Sequence, residues 1–379
     1  MNSSNVITED DRYRSSTQFR LWSFTPASLL ALRSTTNQLA ADRVREAVRR
    51  ARAREAQSSA DASDADPESK SRATSTLPEG ELDCLTVEEE LKLIVFYCRQ
   101  TLQLGKHLNL PTDVNATAVQ YMKRFYTTNS LMTYDPATIL RTALFFATKT
   151  ENHYYRLSKF AEAIDKTKPE DVLASEYLLT QGLRFTFDVR HPYRALEGAV
   201  MELCAIAEGA IPNNGVAGEM PRNMDYRCKV AHGTAKEFLK TSALLTDVYF
   251  HFSPSQIMLA SLLIADEELI RWYIAFKLGG LQNAMAQKVL GTLADCAQML
   301  RTVEPQMQSP AEESKEARTL AKKLRKCRNP EKIDLVALQQ TKRGGDNAND
   351  EKILKKRKLE REKVAQEAGD LFGPGLKKP

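Results

Sequence analysis

What this chain lacks bounds it first. Its six cysteines (Cys84, Cys98, Cys204, Cys228, Cys296 and Cys327) form no C-x-x-C pair. That speaks against a zinc ribbon and a disulfide framework, and for a reducing compartment. No window approaches the roughly 18 uncharged apolar residues of a membrane-spanning helix, so no membrane contact is expected. The opening residues, MNSSNVITEDDRYR, carry no apolar stretch, and no secretory signal is expected. There is no G-x-x-x-x-G-K-[ST], G-x-G-x-x-G, H-E-x-x-H or G-x-S-x-G motif. The five histidines (His107, His153, His191, His232, His251) are isolated, whereas metal ligands and general bases keep polar company at defined spacing. No catalytic residue, metal or cofactor is therefore expected, and a stand-alone enzyme is the least favoured reading.

The 379 residues carry a net charge of +5, and 27% of them are charged. Such a length suggests two or three domains with ample core. The segment Tyr121 to Glu151, YMKRFYTTNSLMTYDPATILRTALFFATKTE, reads as two helices joined by a turn. The second is almost wholly apolar until Lys149. A helix apolar on all sides belongs at the centre of a helical domain, so the lysine at its exit is a charge on a rigid mount.

That segment has an echo in Thr234 to Glu268. With Thr117 set on Thr234, Tyr121 falls on Phe238, Met122 on Leu239 and Lys123 on Lys240. One inserted residue then places Pro136 on Pro254, Ile139 on Ile257, Leu144 on Leu262 and Ala147 on Ala265. So long a period indicates a duplicated domain, the alternative being two apolar helices aligned by chance. At the place of Lys149 the second copy has Glu267, so the lysine site is not duplicated.

Thr25-Pro26 reads as a helix start, leading into an arginine-rich stretch, Arg43 to Arg54. Asp42, Glu46 and Glu55 dilute that stretch, and a solvated helix face suits it better than a nucleic-acid surface. Residues 57–80 have almost no large apolar side chains and read as a disordered linker. Thr86 with Glu88 and Glu89 opens the next helix. Further helices are expected at about Asn115–Tyr126, Asp135–Glu151, Arg156–Ile164 and Lys168–Leu183, giving five helices and no strand in 82–187. The pattern recurs from Pro192, with helices near Tyr226–Tyr249, Pro254–Leu263, Glu268–Phe276 and Asn283–Val303. Gly279-Gly280 serves as a stop. Ser309-Pro310 opens a charged helix to Cys327. Residues 340–352 read as disordered. The basic run Lys355–Lys358 fits a nuclear localisation signal or a solubilising tail. The fold class is thus all-α.

Two tandem five-helix units with this second-to-third-helix sequence resemble the cyclin family. YMKRFYTTNSLMTYDPATILRTALFFATKTE resembles the heart of a first cyclin box, and FDVRHPYRALEG, Phe187 to Gly198, the junction into the second box of transcriptional cyclins. LTDVYFHFSPSQIMLASLL, SSTQFRLWSFT and KLRKCRNPE resemble the H-type branch more than the C-type. The resemblance implies four parts: residues 1–81, an N-terminal helix and linker; 82–187, a kinase-binding first box; 188–303, a second box; and 304–379, a C-terminal helix and basic tail.

The resemblance also implies a non-catalytic regulatory subunit that activates a cyclin-dependent kinase, namely the CDK-activating kinase of TFIIH. Implied partners are the kinase catalytic subunit, a RING-finger assembly factor and the TFIIH core, in the nucleus. Direct sequence-specific nucleic-acid binding is not expected. The family's kinase-contacting lysine falls on Lys149 and its glutamate on Glu176, with apolar positions on Phe146, Leu183, Phe185 and Phe187. Two departures stand out: Thr150-Glu151-Asn152 keeps a single acid, and EEELKLIVFYCRQ lacks the substrate-docking motif of cell-cycle cyclins. The alternatives are another transcriptional cyclin, C- or K-like, and a TFIIB-type DNA-binding initiation factor of the same fold. The latter leads one to expect a zinc ribbon, which the cysteine spacing does not offer.

Overall fold

The computed structural model describes residues 8–61, 83–164, 167–212, 215, 217–303 and 310–328. Among these, every regular element is an α-helix. In chain order they are α1 (Glu9–Ser15), α2 (Thr17–Trp22), α3 (Pro26–Asp61), α4 (Val87–His107), α5 (Thr112–Thr128), α6 (Pro136–Thr150), α7 (Leu157–Glu162), α8 (Pro169–Leu173) and α9 (Glu176–Gly182). The series continues with α10 (Tyr193–Ala207), α11 (Met224–Lys240), α12 (Ser242–Leu245), α13 (Val248–His251), α14 (Pro254–Ala265), α15 (Glu267–Leu278), α16 (Ala284–Arg301) and α17 (Pro310–Arg328).

Local chemistry sets most of these starts and stops. Thr86 and Glu89 cap α4 reciprocally, as Ser253 and Gln256 cap α14, which satisfies amide protons that have no intrahelical acceptor. Pro26, Pro136, Pro169 and Pro254 each stand in the first helical position, where a missing N–H costs nothing. Gly279, at φ 77°, ends α15 in the left-handed conformation that lacks a steric penalty only in glycine.

Two compact units emerge. One comprises Met1–Val44 with Asp83–Arg328, and the described part of the other is the distal half of α3. Within the first unit the sequence echo becomes a structural one. Helices α5 and α6 pack on each other and on α4, and α9 covers both. In the second set α11 and α14 pack on each other and on α10, and α16 covers α14. Helix α5 is buried from Ala116 to Thr127 on every side, including Lys123 and Arg124. Terminal helices dock on this body. In α17, Leu320 and Leu324 are buried, while Lys323 pairs with Glu89 at 2.8 Å and Asp83 at 2.9 Å on the α4 side. From α3, the Asn37 side-chain amide donates to the Leu85 carbonyl at 2.9 Å.

Several elements differ from the sequence expectation. The polar and aromatic N-terminus forms two short helices, because Thr8 and Ser16 cap α1 and α2. The expected Lys168–Leu183 helix is two helices, broken at Ser175 (φ −105°, ψ 8°). Tyr226–Tyr249 is three, interrupted at Thr241 (φ −122°, ψ −79°) and at the extended Thr246. Helix α3 runs to Asp61, into the segment read as linker. The remainder of that linker, Asn213-Asn214, residues 340–352 and the Lys355–Lys358 run lie outside the described residues. Glu90, in the acidic first turn of α4, is buried and accepts from the Leu131 amide at 3.1 Å and from Ser130.

The break at Thr246 has a chemical purpose. It turns the Thr246 and Leu244 carbonyls onto the ammonium of Lys123, which is 4% exposed. Asp247 completes the shell, 3.4 Å from Lys123 and paired bidentately with Arg33 at 2.6 and 3.0 Å. Burial opposes ionisation of Asp247, but the charges of Lys123 and Arg33 outweigh it and hold the carboxyl below its usual range. Leaving one member of a buried pair alone costs about 3–5 kcal/mol. Asp247 is partly exposed, so Asp247→Ala should lower the unfolding free energy in urea by about 3 kcal/mol, near the lower bound. A loss below about 1 kcal/mol would place the pair in the weak surface class.

His191 bridges the two helical sets. The Thr117 hydroxyl donates to Glu151 at 2.6 Å, so its oxygen accepts from His191 Nε2–H at 2.8 Å. Nδ1 is then the acceptor for the Tyr249 hydroxyl at 3.0 Å. Burial, assisted by the Arg124 charge, pushes the imidazole from 6.5 down to about 3. The unfolded chain therefore binds a proton that the folded chain refuses between those pH values. Above pH 6.5 this costs nothing. Below it, stability falls by about 1.4 kcal/mol per pH unit. Unfolding free energies measured from pH 7 to pH 4 should decline more steeply in the wild type than in His191→Asn, and parallel curves would refute the assignment.

Candidate functional site

Helix α6 is packed on all sides until its last turn, which lifts Lys149 out to 43% side-chain exposure. Glu176 is the first residue of α9. The Lys149 ammonium lies 2.8 Å from each oxygen of the Glu176 carboxylate and 4.9 Å from the centroid of the Phe145 ring. Each charge complements the end of the helix that bears it, a cation at the C-terminus of α6 and an anion at the N-terminus of α9. The lysine and glutamate singled out in the sequence are thus brought together.

The four apolar candidates divide. Phe185 is 64% exposed, and Phe187 is half-buried, its ring edge-to-face on Phe146 at 5.0 Å. Phe146 and Leu183 are buried, so in the free chain both pack the core. Leu183 ends α9, and Phe146 lies between Phe187 and Tyr121, whose hydroxyl donates to the Phe187 carbonyl at 2.7 Å.

Exposed neighbours take their place. Tyr154, Leu173 and Tyr177 are 87%, 40% and 71% exposed. Tyr154 lines a shallow groove of ≈460 Å³ with Phe145, Lys149, His153, Tyr155 and Arg156. Leu173 and Tyr177 lie in the segment expected as one continuous helix, Lys168–Leu183. The break at Ser175 changes their direction, and serine's taste for helix ends was the signal available.

The corresponding corner of the second helical set is built differently. Helix α14 ends at Ala265, and the position of Lys149 becomes Glu267, the first residue of α15. The corner is closed internally by Arg227, bound to Asp266 at 2.5 and 2.7 Å and to Glu268 at 2.9 Å. Among the described residues no group of three His, Cys, Asp or Glu converges as a metal site, and no helix is long and apolar enough to cross a membrane.

Comparison with known proteins fits this architecture. Residues 96–188 match the cyclin N-terminal domain and residues 191–301 the cyclin C-terminal domain. Cyclin mcs2 of Schizosaccharomyces pombe is 33% identical over 70% of this chain and 73% of its own length. The chain belongs to the cyclin family. Cyclin CCL1 of Saccharomyces cerevisiae is 34% identical over 72% of this chain, which spans 62% of that protein's length. Among solved structures, a chain of the CAK complex from Chaetomium thermophilum bound to ATP-γ-S superposes with a TM-score of 0.70. It is 37% identical, with 90% of this chain and 98% of that one covered. A chain of the yeast TFIIK (Kin28/Ccl1/Tfb3) complex matches with a TM-score of 0.52 and 30% identity, covering 76% of this cyclin and all of that chain.

An exposed ion pair contributes little to folding, about 0–1 kcal/mol. Lys149→Ala and Glu176→Ala should therefore shift the unfolding free energy of the isolated cyclin by no more than about 1 kcal/mol, as measured by urea titration. A larger loss would make the pair a structural element.

Proposed function

We propose that this cyclin is the non-catalytic regulatory subunit of a CDK-activating kinase, docked on its kinase through the Lys149–Glu176 surface of a first box spanning 82–187. The observation that carries the assembly is the match to a chain of the CAK complex over 90% of the present chain. The yeast match adds a complex holding Kin28 and Tfb3. On this reading the partners are a cyclin-dependent kinase, a RING-finger assembly factor of the Tfb3 kind and, beyond them, the TFIIH core, with work in the nucleus. The second box, 188–303, and the flanking parts, 1–81 and 304–379, support the first.

The mechanism follows from rigidity. Protein kinases need the lysine of their third strand paired with the glutamate of their C helix before ATP phosphates are held correctly. A cyclin that binds only the state with that helix inward raises its population. Lys149 and Glu176 sit at the ends of packed helices, and side chains on such elements keep their geometry better than loop residues do. Their mutual bonds hold them ready to exchange partners with the backbone around the C helix, while Tyr154, Tyr177 and Phe185 supply the aromatic contact typical of binding hot spots.

Losing one member of a desolvated interface pair costs about 2–5 kcal/mol. Lys149→Ala or Glu176→Ala should weaken kinase binding by that amount in calorimetry and reduce kinase activation in parallel. A folded double variant that activates normally would end the site assignment. Affinity purification from nuclear extract should recover TFIIH subunits, and recovery of Mediator kinase-module subunits instead would overturn the choice of complex.

A further inference from the structure

The turn after α9 is costly as built. Arg184 and Phe185 are consecutive non-glycine residues at φ 53° and 54°, where a side chain crowds the backbone. Phe185 is nevertheless 64% exposed, so it repays the strain with little apolar burial in the free chain. An exposed phenylalanine held in a strained turn calls for another reason.

The turn is clamped from the N-terminus. Trp22, at the end of α2, is 1% exposed and belongs to a core cluster with Leu29 and Phe250. Its indole N–H donates to the Thr186 hydroxyl at 2.9 Å, and that hydroxyl donates to the Leu183 carbonyl at 2.7 Å. The guanidinium of Arg184 lies 5.3 Å from the centroid of the indole ring, and that of Arg124 at 5.2 Å. The Phe185 amide donates to Thr180 at 3.0 Å. Residues on either side of Phe185 are thus tied to one buried tryptophan, while its own ring is left in solvent. Two residues further, Phe187 packs on Phe146 of α6, three residues before Lys149, so the turn is continuous with the candidate surface.

We propose that Trp22 and Thr186 are positioning residues for partner docking, holding the left-handed turn that presents Phe185 as an apolar anchor to a pocket beside the kinase C helix. The inference rests on the kinase-binding reading of this surface. It extends that reading by making the N-terminal helix, through Trp22, part of the docking device. The anchor is pre-organised, so the ordering cost of an exposed aromatic side chain is met before binding.

Replacing Trp22 would hollow the core, so the test uses Thr186. Affinity for the kinase catalytic subunit would be measured by calorimetry with the full-length cyclin carrying Thr186→Val, Thr186→Ser, Phe185→Ala, Lys149→Ala and the pairwise combinations, with thermal midpoints recorded alongside. Thr186→Val should bind about tenfold more weakly, within the usual range of coupled neighbours, and Thr186→Ser should restore binding. Thr186→Val should add nothing to the loss from Phe185→Ala, yet multiply with the loss from Lys149→Ala. Should Thr186→Val fail to fold, Arg184→Gln, which breaks the stacking at the surface, enters the same cycle. Wild-type affinity for Thr186→Val, or a loss that multiplies with that of Phe185→Ala, overturns the positioning role while Lys149→Ala still reports the surface. Wild-type affinity for both Lys149→Ala and Phe185→Ala overturns the surface itself.

Discussion

A single buried ammonium constrains this architecture more than any other group. Lys123 sits in the middle of α5, at 4% exposure, where a bare charge cannot be tolerated. Its shell is drawn from far along the chain: carbonyls of Leu244 and Thr246, the carboxylate of Asp247, and the face of Phe250 at 5.5 Å. Arg33 of α3 closes the group through Asp247. The first helical set, the second and the N-terminal helix therefore meet at one charge. The breaks around α12 make sense on the same terms. An unbroken helix over Tyr226–Tyr249 would keep its carbonyls in its own ladder and offer Lys123 none.

The duplication shows where the two copies diverge. Both copies place a packed helix, α6 or α14, at the centre. In the first, the helix runs on to Thr150 and Lys149 emerges at its last turn. In the second, it stops at Ala265, and Asp266 caps the next helix while binding Arg227. There a forked guanidinium ties the carboxylates of Asp266 and Glu268 into one internal network. Divergence of a few residues at one helix end thus gives the two copies different charged corners.

The helical class and the repeat were legible in the sequence because each rests on local or periodic signals, whereas the pairing of Lys149 with Glu176 followed only from the resemblance to cyclins. Apolar runs, proline at Pro136 and Pro254, and the cap at Thr86 mark elements whose ends are set by their own residues. The division of the expected Lys168–Leu183 helix into two at Ser175 was not legible. Such a break carries a weak propensity signal and is decided by packing against α5 and α6. Glu90 is the same lesson with the opposite sign. Its acidity suits a helix N-terminus, but Ser130 and the Leu131 amide bring it inside.

Pre-organisation links these features to function. In the free chain Lys149 and Glu176 satisfy one another, so neither is left seeking a partner, and their removal is nearly silent for folding. The same pair becomes decisive only where water is excluded and each charge must be met by new hydrogen bonds. Phe185 reverses that logic: its strained, exposed position lowers stability a little at all times, and on the proposed reading gains only on docking. On the proposed reading, a surface composed of one silent pair and one held aromatic residue favours a single partner conformation, because a kinase whose C helix is displaced would meet neither. Selection among partner states, rather than maximal affinity, is what such an arrangement provides.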